Sequence, residues 1–310
     1  MHIFVTGAAG FVGKAAVANL IEHGHTVVGL ARSDANVAVL EKLGASIQRG
    51  SLQDMDSLRA GAAQSDGVLH LGFVHDFSRF EEICRIDREA ISAMAEGLEQ
   101  SKGGAAGKPL IVISGTLGLP NPGEGKKADE DTDDRRDMEK GIRGMVVRFT
   151  PNVHGKGDQG FGVMLIKAMK EKGTSYYVEG VTPIWPGGHR DDTAELLRLM
   201  LEKGQAGKTY HAIDEEAVSL KDLAELIGRK LDIPVKGVSF EEAQKELGFL
   251  GGIIAANTVV SSEKTREELG WSPKEIGYLE DVEKHYFGET LAPHASEGTM
   301  GGASEAWKAN

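Results

Sequence analysis

The stretch TGAAGFVG, residues 6–13, follows the apolar run MHIFV and leads into GKAAVANLIEHG, residues 13–24. In this second segment the apolar residues recur with the spacing of one helix face, and a glycine at its end is a common helix terminus. The order is therefore a strand, a glycine-rich turn and a helix. A glycine-rich turn in this context is typical of a site that binds the phosphates of a dinucleotide.

The three glycines of the turn have separate tasks in such a site. Gly7 permits the tight turn, Gly10 lets the main chain approach a pyrophosphate, and Gly13 allows the helix to pack against the strand. Amides at the start of the helix, including those of Phe11 and Val12, lie at the positive end of the helix dipole. The stretch therefore predicts a dinucleotide site at the start of the chain.

The alternation of apolar runs with helical patterns continues through the first half of the chain, which is typical of a parallel sheet covered by helices. The predicted strands are Ile3–Val5, Val27–Leu30, Ser46–Arg49, Gly67–Leu71, Leu110–Ile113 and Met145–Arg148. The fold class is therefore α/β, with a doubly wound parallel sheet. We expect a nucleotide-binding domain at 1–151, a smaller α/β substrate domain at 152–290 that is interleaved with it, and a flexible tail at 291–310.

The composition of the chain argues against several classes of function. With 310 residues and a net charge of −12, the chain is not expected to bind nucleic acid or an anionic membrane, and a small-molecule ligand is expected instead. The ten histidines and the single cysteine show no metal-binding spacing such as HExxH, so no metal is expected. No apolar run approaches the ~20 residues that span a bilayer and the first strand leaves no room for a signal peptide, so we expect a cytoplasmic protein.

The end of the second predicted strand, in VVGLARSD, selects the dinucleotide. An acidic residue here would bind the ribose hydroxyls of NAD, but Ala31 and Arg32 occupy its place. Arg32 with Ser33 can hold a 2′-phosphate through charge-assisted hydrogen bonds, which favours NADP(H) over NAD(H). In the alternative interpretation, Arg32 is a surface residue and Asp34 binds the ribose.

A set of further segments follows the turn in a recognisable order: ARSD, GVLHLGF, ISGT, RFTPNVHG, HRDDTAELLRL and SSEKTREELGWSP. Together with the turn they resemble the extended short-chain dehydrogenase/reductase family, which includes nucleotide-sugar epimerases, dehydratases and carbonyl reductases. The resemblance covers about residues 1–287, and HLGFVHDFS is similar to an atypical subgroup described as NAD-dependent epimerase/dehydratase-like. It implies a Rossmann domain, a C-terminal substrate domain, NADP in the cleft between them and a homodimer.

The same resemblance implies further binding residues. Additional cofactor contacts are expected at Ser51, Leu52, Leu71, Gly72, Phe73, Ser114, Pro151, Asn152 and Val153. Substrate contacts are expected at Asp76, His154 and His189.

The resemblance also implies a catalytic tetrad of Asn, Ser or Thr, Tyr and Lys. Thr116 in VISGT matches the Ser/Thr that hydrogen-bonds the reacting oxygen, with Ser114 as the alternative, and Asp87 occupies the asparagine position. The Tyr-x-x-x-Lys pair should fall between Thr116 and Arg148, but the first tyrosine in the chain is Tyr176. The sequence therefore lacks the family's proton donor.

Loss of an acid removes on the order of 10²–10⁴-fold in rate and leaves hydride transfer possible. His75, which follows the fourth strand at the edge where parallel sheets bind ligands, is one candidate replacement. Asp87 could also act if it were held protonated, and His154, Tyr176 or Tyr177 could reach the cleft from the other side. In the alternative interpretations, His75 shapes its loop, Asp87 makes a structural hydrogen bond, and the last three serve packing or substrate shape.

Two charged segments remain. Within HRDD, Asp192 is predicted to cap the helix that follows, and Arg190 either binds a nucleotide or pairs with Asp191. Residues 124–140 carry thirteen charges in seventeen residues with almost no apolar face, which predicts a solvated loop or a frayed helix. Lys140 in this segment follows no tyrosine at the family spacing and is not assigned a catalytic role.

The leading hypothesis is an NADP-dependent oxidoreductase that reduces a small carbonyl compound with an unconventional proton donor. A nucleotide-sugar-type epimerase or dehydratase is the alternative within the same chemistry. A non-catalytic NADP-binding sensor is the alternative from another class, and the missing tyrosine favours it.

Overall fold

The computed structural model describes residues 1–75, 79–117, 119–120, 126–132, 141–180 and 183–288. Asp76, Lys140 and the predicted tail at 291–310 lie outside the described residues. The strands are β1 His2–Thr6, β2 Thr26–Ala31, β3 Ser46–Arg49, β4 Gly67–His70, β5 Pro109–Gly115, β6 Arg143–Phe149, β7 Asn152–His154, β8 Ser175–Val178, β9 Ile184–His189, β10 Thr209–Ala212, β11 Glu215–Ser219 and β12 Val235–Val238. The helices are α1 Phe11–Glu22, α2 Asp34–Lys42, α3 Met55–Ala63, α4 Phe80–Gln100, α5 Phe161–Lys172, α6 Arg190–Lys203, α7 Leu220–Leu231, α8 Phe240–Leu247, α9 Phe249–Ile253, α10 Glu263–Leu269 and α11 Tyr278–His285.

The main sheet has seven parallel strands in the order β10-β6-β5-β4-β1-β2-β3. Strands β1 to β6 are the six predicted strands, each within two residues of its predicted ends. The strand order reverses between β1 and β4, and open parallel sheets bind ligands at the carboxyl edge of such a reversal. The predicted α/β fold with a doubly wound Rossmann sheet is confirmed.

Both faces of the main sheet are covered because its strands are apolar on both sides. Side chains such as Val5, Ile111 and Val147 pack with α1 and α6 on one face. Phe4 and Leu110 pack with α3 and α4 on the other. Helix α6 and strand β10 come from the second half of the chain, so this half completes the sheet as well as forming its own layer.

The remaining elements form a second layer at the carboxyl edge of the sheet. Strands β11, β9 and β7 form a three-stranded sheet, and β12 pairs with β8. A separate core holds this layer together around Trp185, Tyr278 and Tyr286, which are all fully buried. The layer follows β6 directly, through β7, and therefore lies where it can cover a ligand at the sheet edge.

The described part of the acidic segment, residues 126–132, is docked onto the second half of the chain. Ala128 forms a β-bridge with Val260. The Glu130 carboxylate is 4% exposed and accepts hydrogen bonds from the amide and hydroxyl of Thr265 at 2.8 and 2.7 Å. The Lys264 ammonium group donates to the carboxylates of Asp129 and Asp131. These residues form a loop, as predicted, but Ala128 and Glu130 are buried and not solvated, because the acids serve as acceptors for the start of α10.

The N-terminal caps of two helices in the second half of the chain can be compared with the sequence predictions. Ser219 caps α7 by accepting from Asp222 N at 3.2 Å. The prediction that Asp192 caps α6 is wrong: His189 is the N-cap residue, and the Asp192 carboxylate accepts from the main-chain amides of Lys274 and Glu275. In the described part of the chain, no helix combines the length and apolar character needed to cross a membrane.

Candidate functional site

The turn between β1 and α1 has the geometry of a phosphate-binding loop. Gly7 adopts a φ of +65°, and its carbonyl accepts from Gly10 N at 2.9 Å. A Cβ on Gly13 would stand 2.1 Å from Gly7 O, and one on Gly7 would stand 2.6 Å from the carbonyl carbon of Leu71. Positions 7 and 13 therefore require glycine for close main-chain packing.

The start of α1 is open toward the carboxyl edge of the sheet. Its N-cap residue is Gly10, no side chain caps it, and its first turn contains no acidic residue. The amides at Phe11 and Val12 therefore lack the side-chain acceptor that most helix starts provide. A helix start of this kind is suited to bind an anion such as a pyrophosphate.

The end of β2 carries the residues predicted to select the cofactor. Arg32 is exposed, and no carboxylate in the described part of the chain pairs with it. Ser33 caps α2 by accepting from Asn36 N at 3.3 Å. Asp34, the alternative ribose ligand, pairs with Arg49 at the end of the neighbouring strand β3. The Asp34 carboxylate is therefore shared with Arg49 in an exposed ion pair, whereas Arg32 has no carboxylate partner in the described residues.

The predicted cofactor contacts from β4 lie beside the turn. Gly72 N donates to Thr6 Oγ1 at 3.0 Å, and Leu71 N donates to Thr6 O. A Cβ on Gly72 would stand 3.1 Å from the Leu52 side chain. Phe73 follows at the same edge, half-buried. The structure thus brings these predicted residues together around the glycine turn.

A chain of hydrogen bonds connects α4 to this turn. His70 Nε2 lies 3.1 Å from Asp87 Oδ1, and His70 Nδ1 lies 2.6 Å from Thr6 Oγ1. Since the Asp87 carboxylate can only accept, His70 donates from Nε2, and His70 Nδ1 can then accept the hydroxyl proton of Thr6, whose oxygen also accepts from Gly72 N. Asp87, predicted as a catalytic residue, thus orients a buried histidine that supports the cofactor turn; a direct catalytic role remains a prediction.

Sequence reasoning missed Thr6 and His70 as members of the site. The available signal was a polar residue at the last position of two adjacent apolar strands, β1 and β4, which are paired at these residues. Polar groups buried at strand ends are satisfied by each other or by a ligand.

The predicted catalytic hydroxyls lie at the carboxyl end of β5, Ser114 within the strand and Thr116 directly after it. Ser114 is exposed at the sheet edge, whereas Thr116 is fully buried. The Thr116 Oγ1 atom has no hydrogen-bond partner among the described residues, while its main-chain amide donates to Phe149 O at 3.0 Å. The main chain of Thr116 is therefore fixed, and its hydroxyl retains its hydrogen-bonding capacity.

His75 lies five residues beyond the end of β4 and is exposed. Neighbouring atoms still desolvate its ring enough to lower the pKa of His75, and a hydrogen bond with the main chain of Phe73 opposes this shift. The two rings are in edge-to-face contact with centroids 5.7 Å apart. His75 is therefore more readily neutral near pH 7 than an ordinary histidine.

The predicted residues of the second half lie deeper. Pro151 and Val153 are half-buried on either side of Asn152, which is 3% exposed and whose Nδ2 has no partner among the described residues. His154 is fully buried, and its Nδ1 is hydrogen-bonded to Asp281 at 3.0 Å. The structure therefore places His154 in the interior of the second layer, and its substrate contact stays a prediction.

A contact between the two halves of the chain involves the side chain of Phe11, the first residue of α1. The guanidinium of Arg190 stacks over the Phe11 ring, 4.9 Å from its centroid, and donates to Lys156 O. Its pairing with Asp191 is confirmed by a bond of 3.1 Å from Nε. The imidazole of His189, predicted to face substrate, accepts from Asp191 N, which fixes this ring as a helix cap.

Comparison with known proteins gives consistent results for the fold and the turn. Residues 3–87 match the model of the NAD dependent epimerase/dehydratase family. An uncharacterized protein of Saccharomyces cerevisiae is 44% identical over 300 residues, covering 92% of this chain and 99% of its own. A 4-hydroxy-2-methyl-3-oxo-4-farnesyl-3,4-dihydroquinoline-1-oxide ketoreductase of Stigmatella aurantiaca is 25% identical over 73% of this chain and 72% of its own. Among solved structures, the UDP-glucose 4-epimerase of Thermus thermophilus in complex with NAD is 18% identical, with a TM-score of 0.67 over 93% of this chain and 99% of the epimerase.

Proposed function

The chain belongs to the NAD-dependent epimerase/dehydratase group of extended short-chain dehydrogenases/reductases, and from this premise we propose that it is an NADP(H)-dependent oxidoreductase acting on a small carbonyl or alcohol substrate. The observation that carries the choice of cofactor is the arrangement of charges after β2. Asp34 is paired with Arg49, and Arg32 has no acidic partner in the described residues. A 2′-phosphate would pair with Arg32, whereas a ribose hydroxyl would have to share the Asp34 carboxylate with Arg49.

The start of α1, which no side chain caps, also supports dinucleotide binding at this edge of the sheet. The pyrophosphate would lie against the amides that follow Gly10, and the adenosine end would extend toward the ends of β2 and β3. The bound nicotinamide would then lie near the ends of β4 and β5, where it supplies the hydride. Ligands of open parallel sheets occupy this edge.

At the reacting end, the chain supplies hydrogen-bonding groups in place of the tyrosine. Thr116 would hydrogen-bond the reacting oxygen, because its hydroxyl has no other partner among the described residues. His75, which leaves β4 at this edge, would give the oxygen its proton when a carbonyl is reduced and accept it when an alcohol is oxidised. The reductase named in the comparison acts on a ketone, which supports a carbonyl substrate.

Calorimetric titration with NADPH and NADH tests the cofactor assignment. We expect Arg32→Ala to weaken NADPH binding by about 10–150-fold, the equivalent of a charge-assisted interaction of about 1.5–3 kcal/mol, and to leave NADH binding within about twofold. Arg85→Ala is the matched control, since Arg85 is an exposed arginine that pairs with Glu89 on α4. Equal losses for both cofactors in Arg32→Ala would refute the phosphate role.

Turnover tests the reaction class. The protein is incubated with NADPH and a panel of aldehydes, ketones and quinones, and NADPH oxidation is followed by absorbance. Stoichiometric consumption of NADPH and carbonyl supports a reductase, whereas an epimerase returns the hydride to its substrate and consumes no cofactor. Tight NADPH binding without consumption on any carbonyl would overturn the reductase proposal in favour of an epimerase or a sensor.

A further inference from the structure

A polar cluster lies inside the second layer, between the β11-β9-β7 sheet and α11. Its centre is His154, the last residue of β7, which is fully buried. Asp214 approaches it from the β10–β11 connection, Glu215 from the first position of β11, and Asp281 from α11. The cofactor and reaction described above use none of these three acids.

His154 is oriented as metal-ligating histidines are oriented. Its Nδ1 is 3.0 Å from Asp281 Oδ2, while the other oxygen of Asp281 is 2.6 Å from His285 Nδ1. Because the carboxylate can only accept, Nδ1 carries the hydrogen of this contact, and Nε2 is the ring nitrogen that can offer a lone pair to an ion. This Nε2 is buried and has no partner in the described part of the chain. A carboxylate that holds one ring nitrogen while the other binds an ion is the usual arrangement around a metal.

Two carboxylates complete a set of three ligands. One ring nitrogen of His154 and one oxygen each of Asp214 and Glu215 all lie within 4.8 Å of one another. Both acids are half-buried and fixed by main-chain amides: Asp214 accepts from Glu215 N at 2.7 Å and from His189 N, and Glu215 Oε2 accepts from Tyr278 N. No lysine or arginine side chain within the described ranges pairs with either carboxylate. Arg266 donates to the main-chain carbonyl of Asp214 and not to either carboxylate, so the two neighbouring negative charges are only partly compensated.

A neighbouring set of potential ligands is already satisfied. His154, His189 and Asp281 also lie within this spacing of one another. However, His189 Nδ1 accepts from Asp191 N, and both oxygens of Asp281 accept from histidines. Each oxygen of Asp214 also accepts one hydrogen bond, from a main-chain amide, but a carboxylate oxygen keeps a second lone pair. The set of His154, Asp214 and Glu215 is favoured because the other set needs His189, whose Nδ1 is already occupied.

We propose that His154, Asp214 and Glu215 bind one divalent transition-metal ion, with Asp281 positioning the histidine. One imidazole nitrogen and two carboxylate oxygens suit Zn²⁺, Mn²⁺ or Co²⁺ and are unusual for Ca²⁺ or Mg²⁺, which prefer all-oxygen sites. Ligand bonds of about 2.0–2.2 Å require the three atoms to approach to roughly 4 Å or less, which needs side-chain movements of under about 1 Å. The ligands come from separate strands and a connection, so no sequence spacing reveals them.

The ion would tie the β10–β11 connection to β7. Both segments leave the carboxyl edge of the main sheet, β7 after β6 and the connection after β10. The site would therefore fix the second layer against the edge where the cofactor is proposed to bind, without itself taking part in hydride transfer.

Cobalt titration tests the site in the full chain. The protein is treated with a chelator, desalted and titrated with Co²⁺ while the absorbance between about 500 and 650 nm is recorded. We expect ligand-field bands that saturate at one equivalent and disappear when Zn²⁺ is added. Wild-type protein without such bands, or with bands that do not saturate near one equivalent, would overturn the proposal.

Variants assign the ligands. Glu215→Gln and His154→Gln are each expected to weaken Co²⁺ binding at least tenfold. His154 is fully buried and its variant could misfold, so Glu215→Gln, at a half-buried position, carries the test, with its fold checked by circular dichroism. Glu280→Gln and His23→Gln change exposed residues and should leave binding unchanged. Equal Co²⁺ affinity in Glu215→Gln and wild type would refute the assignment.

Discussion

The cofactor turn and the connection between β5 and β6 begin at the same edge of the sheet, yet they are determined by different kinds of contact. The turn is specified by residues 6–13, whose glycines each meet main-chain atoms of the turn or of the adjacent β4 end. The described part of the connection, residues 126–132, is held by the remote residues Val260, Lys264 and Thr265. Local geometry therefore determines the conformation of the turn, whereas long-range contacts hold the described part of the connection in place.

The largest expected effect is the loss of the turn. In Gly13→Ala the new Cβ would stand 2.1 Å from Gly7 O, so the main chain must move. We expect a destabilisation of about 2–3 kcal/mol, as for an overpacked core, and a loss of NADPH affinity of at least about 100-fold. Thermal unfolding and calorimetry measure the two effects. Gly24→Ala is the control, because a Cβ there meets no atom within 4 Å and only the positive φ is strained. Unchanged NADPH binding in Gly13→Ala would contradict the proposed role of the turn.

This difference explains how much of the molecule the sequence could predict. The strands and the turn follow from local apolar patterns and glycines, and the absence of a tyrosine before Tyr176 is visible by reading the chain. The partner of Asp87 was not predictable, because His70 meets it only after α4 packs on the sheet. The cap of α6 was assigned to Asp192 because aspartate is a good N-cap, but its carboxylate is taken by Lys274 N, 82 residues away.

The contacts of the connection are expected to matter for stability more than for cofactor affinity. Glu130→Ala removes the acceptor of the Thr265 amide and hydroxyl in a buried position. Leaving these donors unsatisfied costs about 1–3 kcal/mol of unfolding free energy, while NADPH affinity should change less than about threefold. Asp131→Ala, which removes an exposed partner of Lys264, is the control and should cost less than about 0.5 kcal/mol. Equal stability of the Glu130 and Asp131 variants would show that the contact does not anchor the connection.

Substitution of the two hydroxyl residues at the end of β5 distinguishes a catalytic role from a structural one. Thr116→Val removes a buried hydroxyl that has no partner among the described residues, so stability should stay equal or rise by up to about 1 kcal/mol. If the hydroxyl holds the reacting oxygen, kcat should fall at least about tenfold, since each 1.4 kcal/mol of lost transition-state stabilisation is tenfold in rate. Ser114→Ala changes the exposed hydroxyl two residues earlier and serves as the matched variant. A loss confined to Ser114→Ala would transfer the role from Thr116 to Ser114.

The smallest effect at neutral pH is expected at His75. Partial desolvation lowers the pKa of His75 below its usual value of about 6.5, so less than about a tenth of the rings carry a proton at pH 7.5. A proton donor with a lowered pKa acts in reduction only as the pH falls, so the rate of carbonyl reduction should rise from pH 7.5 to 5.5. His75→Gln should remove this rise, with a small loss at pH 7.5 and a larger one at pH 5.5. Alcohol oxidation needs the neutral ring and should show the opposite trend in the wild type. A pH profile of reduction that is the same in His75→Gln and wild type would show that another group supplies the proton.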